Sequence, residues 1–120
     1  NLANDFSATT KANISNNSGS PTTLYQPFSA QVDVIIGFFI INKTSSAVNV
    51  TLNVTNSFST DDNIELANSL PIAANSVYEL TLGKMVIVDD GPNGTMAITG
   101  HASAASAIDV YINSLRDVNS

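Results

Sequence analysis

Gln31 to Asn42 reads Gln-Val-Asp-Val-Ile-Ile-Gly-Phe-Phe-Ile-Ile-Asn, and no other stretch restricts the fold of this chain so tightly. Its β-branched and aromatic residues favour a strand. Period two puts Val32, Val34, Ile36, Phe38 and Ile40 on one face. The other face carries Asp33, Ile35, Gly37, Phe39 and Ile41, so from Ile35 onward it is apolar as well. A strand lying between one core and open water alternates apolar with polar. This one needs cover on both sides, supplied either by its own domain as a central strand or by a neighbouring copy.

The remaining strands follow from the same period. Thr22–Gln26 is a short strand closed by Pro27. Ala47–Asn56 alternates most cleanly, with Val48, Val50, Leu52 and Val54 opposite Asn49, Thr51, Asn53 and Thr55. The short polar segment Asn42–Ser46 between the two long strands predicts an antiparallel hairpin. Ile64–Ala67 reads as a brief strand, followed by a connection over Asn68–Asn75. Ser76–Leu82 and Met85–Val88 follow, then the turn Asp89-Asp-Gly-Pro-Asn-Gly94. Thr95–Thr99 and Ala107–Leu115 close the set; Ile108, Val110 and Ile112 point in, while Asp109, Tyr111 and Asn113 point out. Gly100–Ala107, small and without an apolar stripe, reads as a loop.

About eight short strands with regular turn signals and no helical period predict an all-β chain, an antiparallel β-sandwich of immunoglobulin-like or jelly-roll-like form. Residues 21–120 make the domain. Residues 1–20, rich in Asn, Ser, Thr and Ala, read as a polar N-terminal arm, either a frayed terminus or an extended segment that orders against a partner through Leu2 and Phe6.

A chain of 120 residues is one domain and buries one core without disulfides, of which it can have none because it lacks cysteine. At this size the folded surface should be about 6,000 Å². Four basic residues against ten acidic ones give a net charge of −6, and Lys11, Lys43, Lys84 and Arg116 form no run. Binding to a nucleic-acid backbone or an anionic membrane needs a basic patch, so neither is expected. The longest apolar run is too short for a helical membrane span. No signal-peptide pattern opens the chain, which also starts without Met and so is compatible with a processed N-terminus.

Chemistry-bearing groups are sparse. His101 is the one histidine and stands in a small-residue stretch with no nucleophile motif beside it. Asp61-Asp62 and Asp89-Asp90 suit turns. The second pair starts like a calcium loop, but Gly91 and Gly100 fall where that loop needs ligands. Six glycosylation sequons, at Asn13, Asn16, Asn42, Asn49, Asn53 and Asn93, accompany an Asn/Ser/Thr-rich composition, and two of them lie mid-strand. No phosphate loop, dinucleotide fingerprint or zinc spacing is present, so no catalytic, cofactor or metal residues are assigned and the chain is not expected to be an enzyme.

The order of segments resembles a known class. A polar arm precedes Ile-Ile-Gly-Phe-Phe-Ile-Ile-Asn-Lys-Thr and Val-Asn-Val-Thr-Leu-Asn-Val-Thr. Leu-Pro-Ile-Ala-Ala-Asn-Ser-Val-Tyr-Glu-Leu, Gly-Lys-Met-Val-Ile-Val and Ala-Ser-Ala-Ala-Ser-Ala-Ile-Asp-Val-Tyr-Ile follow. Over about residues 22–118 this is similar to the small β-sandwich virion proteins of tailed bacteriophages, found as capsid cement (decoration) proteins and as neck or tail components. Related sequences place Gly-Asp before the penultimate strand, where this chain has Asn93-Gly94-Thr95.

The resemblance implies a structural protein that stabilises the phage head by binding between capsomers. Its location would be the virion, on the capsid surface or in the neck or tail. It would need no cofactor, would contact a major capsid or other virion protein, and would form a homo-oligomer. A neck or tail ring subunit is one alternative. A bacterial cell-surface or adhesin module binding carbohydrate through Tyr25, Tyr78 or Tyr111 is another. The candidate protein-contact residues are Leu2, Phe6, Ile35, Phe39, Ile41 and Tyr111.

Overall fold

The computed structural model describes residues 6–59, 62–80 and 83–119. Leu2, Asp61, Thr81 and Leu82, which figure in the sequence analysis, lie outside the described residues. The chain is all-β: among the described residues nine strands form two antiparallel sheets packed face to face, and a 3₁₀ turn lies at Gly91–Asn93. The strands are β1 (Phe6–Lys11), β2 (Thr22–Tyr25), β3 (Val32–Asn42), β4 (Val48–Asn56), β5 (Ile64–Ile72), β6 (Ser76–Glu79), β7 (Met85–Val88), β8 (Met96–Ala102) and β9 (Ile108–Leu115).

The first sheet runs β1-β9-β3-β6, with β7 paired to the other half of the same β3 edge, and the second runs β2-β8-β4-β5. Most connections cross from one sheet to the other. Two such interleaved four-strand orders define a jelly roll, which settles the choice left open against the immunoglobulin-like order.

The core lies between the sheets. β3 and β9 contribute Ile35, Phe38, Ile40, Ile108, Val110 and Ile112; β4, β8 and β2 contribute Val48, Val50, Leu52, Val54, Ile98 and Leu24. The folded surface is 6353 Å², close to expectation for this length.

The alternating strand Val48–Asn56 does put its valines and Leu52 inside, but it does not form a hairpin with β3. The two strands belong to different sheets. The cause is Asn42, which ends β3 with a buried side chain. Its Nδ2 donates to the carbonyls of Ser46 (2.8 Å) and Ile72 (3.0 Å), and its Oδ1 accepts from Thr44 N (2.9 Å) and Thr44 Oγ1 (2.7 Å). That cluster fixes a turn which carries the chain across the core instead of back along its own sheet.

Three further expectations need correcting. The segment taken as an arm belongs to the sandwich from Phe6 onward: β1 pairs with β9 along its whole length. Ile14 then enters the core, its N–H donating to Ile108 O at 3.0 Å. Serine, threonine and alanine give β1 no periodic signal, so only the partner strand reveals it. The brief strand at Ile64 continues to Ile72, with register shifts opposite Val50–Asn53 and Ser69 at a φ of +52°. Pro71 is tolerated there because β5 is an edge strand and one side of its backbone needs no donor. Gly100, His101 and Ala102 extend β8 rather than opening a loop. A Cβ at Gly100 would meet Leu52 at 2.9 Å and Leu24 at 3.0 Å, so the missing apolar stripe is the space those leucines occupy.

Candidate functional site

The β3 strand decides which side chains the first sheet shows to solvent. Its pairing with β9 slips by one residue: Ile35 faces Ser114, Gly37 faces Asn113, and Ile36 is extra. Such a bulge exchanges the faces of everything beyond it. Before it, Asp33 and Ile35 point inward; after it, Phe38, Ile40 and Asn42 do. Ile35 is therefore 2% exposed and lies in the core, so its assignment as a contact residue is overturned; Ile36, at 46%, stands outside in its place. The isolated glycine beside it was the available sign, since a glycine within a strand pattern marks a bulge.

The register places the outer residues in rows across the sheet. One row is Thr10, Tyr111, Phe39 and Glu79, and the next is Ala8, Asn113 and Gly37. A third is Phe6, Leu115, Val34 and Val86, with Ile36 rising between it and the second. Asp109, Ile41 and Val77 continue the array at the other end. Phe6 (70%), Val77 (61%), Val86 (52%) and Tyr111 (39%) are exposed, and Phe39 and Ile41 are half-buried against neighbours within the same face. The rings of Phe39 and Tyr111 lie 6.1 Å apart. Among the described residues nothing covers this surface.

Four expected contact residues, Phe6, Phe39, Ile41 and Tyr111, thus share one face. Val34, Ile36, Val77, Val86 and Leu115 join them and were not singled out from the sequence. Among the paired strand residues of this face, charge enters at the margin: Glu79 at one edge, and Asp109, which accepts from Lys43 Nζ at 2.9 Å. Burial tends to raise the Asp109 pKa, but the hydrogen bonds from Lys43 and from Asn13 N–H outweigh it and hold the carboxyl below its ordinary value.

Beneath one end of this face is a polar cluster that strand patterning did not indicate. Asp33 is fully buried. Its Oδ2 accepts from the Tyr25 hydroxyl (2.7 Å) and Arg116 Nη1 (3.0 Å), and its Oδ1 accepts from Asp117 N (2.8 Å). A hydroxyl has one proton to give, so at the 2.9 Å contact Ser114 donates to the Tyr25 oxygen. The Arg116 guanidinium lies 4.7 Å from the Tyr25 ring centroid and 4.4 Å from that of Phe28, and Nε reaches Ser7 Oγ at 3.3 Å.

Burial, with the bond to Asp33, pushes the Tyr25 pKa up to about 12, against the opposing Ser114 bond. Every strong acceptor in the cluster is engaged by the protein itself, and the cluster ties β1, β2, β3 and the end of β9 together. It is a clasp rather than a reaction centre.

The other candidates separate in space. His101 stands on the outer face of the second sheet opposite Thr51. Asp89 Oδ1 accepts from the N–H groups of Ala30 (2.9 Å) and Gly91 (2.8 Å), bonds that hold its pKa below the usual value and fasten the turn. Among the described residues no three His, Asp or Glu side chains gather into a group able to hold a metal ion. The tyrosines do not converge either: Tyr25 is buried, Tyr111 is on the outer face beside Phe39, and Tyr78 pairs with inward-facing Ile40.

Compared with known protein families and with curated proteins, the chain matches neither a family model nor any curated sequence.

Proposed function

We propose that this chain works by adhesion, as a structural protein of a tailed-phage virion, in the manner of a capsid cement protein that stabilises the head from between capsomers. The observation that carries the reading is the uncovered apolar face of the first sheet. An exposed patch of this breadth marks an interaction surface. The absence of a converging site among the described residues gives no competing chemistry to explain. Jelly rolls serve in viral capsids and in lectins alike, so the fold alone is an analogy, and the segment order described above weights it towards the virion. Burial of apolar area at about 25 cal/mol per Å², less the cost of ordering, supplies the attachment. A ring subunit of neck or tail would use the same face.

The test is composition. Phage particles banded on a density gradient from the source culture should contain the chain at a fixed ratio to the major capsid protein. The Phe39→Asp variant should be depleted from them while its far-ultraviolet circular dichroism stays β-like. Particles lacking the chain altogether would refute the virion assignment, and a Phe39→Asp chain that does not fold would return Phe39 to a core role.

A further inference from the structure

We infer that the free edge of β1 takes up a strand from another polypeptide, an extended segment in which aliphatic residues alternate with Asp or Glu. This rests on the adhesive reading of the first sheet and adds a partner to it. The new strand continues that sheet and leaves its outer face uncovered.

The edges of the two sheets are not alike. Proteins blunt an exposed edge with short strands, bulges, proline or charge. β2 has four residues, a register shift between Thr23 and Tyr25, and Pro21 and Pro27 nearby. β5 has Glu65, two register shifts, Ser69 at positive φ and Pro71. β6 and β7 are four residues each and share one side of β3. β1 has none of these devices before Lys11. It keeps one register with β9 from Phe6↔Leu115 to Lys11↔Val110, without proline, glycine or bulge. Among the described residues no strand pairs with its outer side.

The ladder shows which backbone groups are left over. Lys43 N donates to Ala107 O at 3.1 Å, one pair beyond Asn42↔Ile108. Antiparallel pairs alternate between bonded and unbonded, so Asp109, Tyr111 and Asn113 exchange hydrogen bonds with β3. On the other side of β3, Leu80 N donates to Phe38 O at 2.9 Å, which fits the same alternation. Val110, Ile112 and Ser114 therefore bond to β1, at Lys11, Thr9 and Ser7. Phe6, Ala8 and Thr10 turn their N–H and C=O groups to the open edge, the row of donors and acceptors that strand addition uses.

The surroundings set the partner's chemistry. A strand about 4.8 Å beyond β1 places alternate side chains on the outer face beside Phe6 and Ala8, where aliphatic residues gain contact. The others point towards the gap between the sheets, a polar hollow of about 270 Å³ lined in part by Thr9, Lys11, Thr23, Gln26 and Arg116. Two of the four basic residues of a chain carrying −6 stand here. Among the described residues Lys11 makes no ion pair, unlike Lys43 and Arg116. Carboxylates are what this side attracts. Each strand of this chain has at most one acidic residue, so a second copy is the poorer match.

Hydrogen exchange of the full chain, followed by nuclear magnetic resonance during titration with the capped peptide Ser-Val-Glu-Val-Glu-Val-Ser, tests this. The Ala8 and Thr10 amides should exchange freely at first and slow at least ~10-fold as peptide saturates, while Thr9 and Lys11 are slow throughout. The peptide Ser-Val-Lys-Val-Lys-Val-Ser should bind at least ~10-fold more weakly. Ala8→Pro loses a donor on the open side alone, where an edge strand tolerates proline. It should weaken binding at least ~10-fold and leave the thermal midpoint little changed. Thr10→Pro makes the same change at the next outward residue and serves if Ala8→Pro does not fold.

No binding at millimolar peptide, protection on another strand, equal affinity for the lysine peptide, or undiminished affinity in the proline variants overturns the inference. A dimer formed through β1 without peptide also overturns it. If it fails in any of these ways while phage particles still hold the chain, the adhesive virion reading survives. If peptide binds along β1 but particles lack the chain, the virion reading fails and the strand site stands.

Discussion

The two sheets bury equivalent inner faces and present opposite outer ones. On the second sheet, Asn49, Thr51, Asn53 and Thr55 of β4 stand beside Thr99 and His101 of β8, a neutral polar surface that water solvates. On the first, the corresponding positions are Phe39, Ile41, Tyr111, Val34 and Leu115. Both sheets close the same core, so folding does not require the second kind of outer face. A sandwich needs only one apolar side per sheet; the surplus on the first sheet is what the proposed adhesive role would use.

That contrast can be sharpened from its strongest side first. Asp33 lies just under the first sheet's face, and truncating it would leave Arg116 partly buried without its counter-ion. Asp33→Ala should cost about 3–5 kcal/mol in urea unfolding. A loss under 1 kcal/mol would mean the clasp contributes little, and that the first sheet rests on its apolar contacts alone.

A graded effect comes from Tyr25. The unfolded chain releases the phenolic proton near pH 10, and the folded chain holds it to about 12. The folded pKa is raised, so this contribution is fully present below pH 10 and is lost as pH rises towards 12. Between those values stability should fall by on the order of 2 kcal/mol more in the wild type than in Tyr25→Phe. Parallel pH curves for the two proteins would contradict the clasp as described.

The smallest effect belongs to the second sheet's outer face. Asn53→Asp should shift stability by less than about 0.5 kcal/mol and leave the solution mass unchanged. A change in mass there would break the contrast between the faces.

Legibility differed from region to region. The β4 pattern was read correctly because strict alternation reflects one buried and one solvated face. The placement of Ile35 and Ile36 failed because one extra residue in the β3–β9 ladder reverses the period, and a run of Val, Ile and Phe gives no mark of where that happens except Gly37. The hairpin between β3 and β4 failed because a short polar turn suits both a hairpin and a crossing, and the choice is made by a hydrogen bond from Asn42 to Ile72, thirty residues on. The Asp33 clasp was invisible because its members are spread from Ser7 to Asp117.

The sequence by itself determined an all-β, acidic, cysteine-free chain with more apolar strand surface than one core consumes, because composition and period-two patterning are local properties. Only the tertiary structure decided the jelly-roll order, the docking of β1 on β9, and the outward turn of Ile36 with the inward turn of Ile35. Each of those depends on which backbone hydrogen bonds pair distant segments, and a single residue of register there reassigns a whole face.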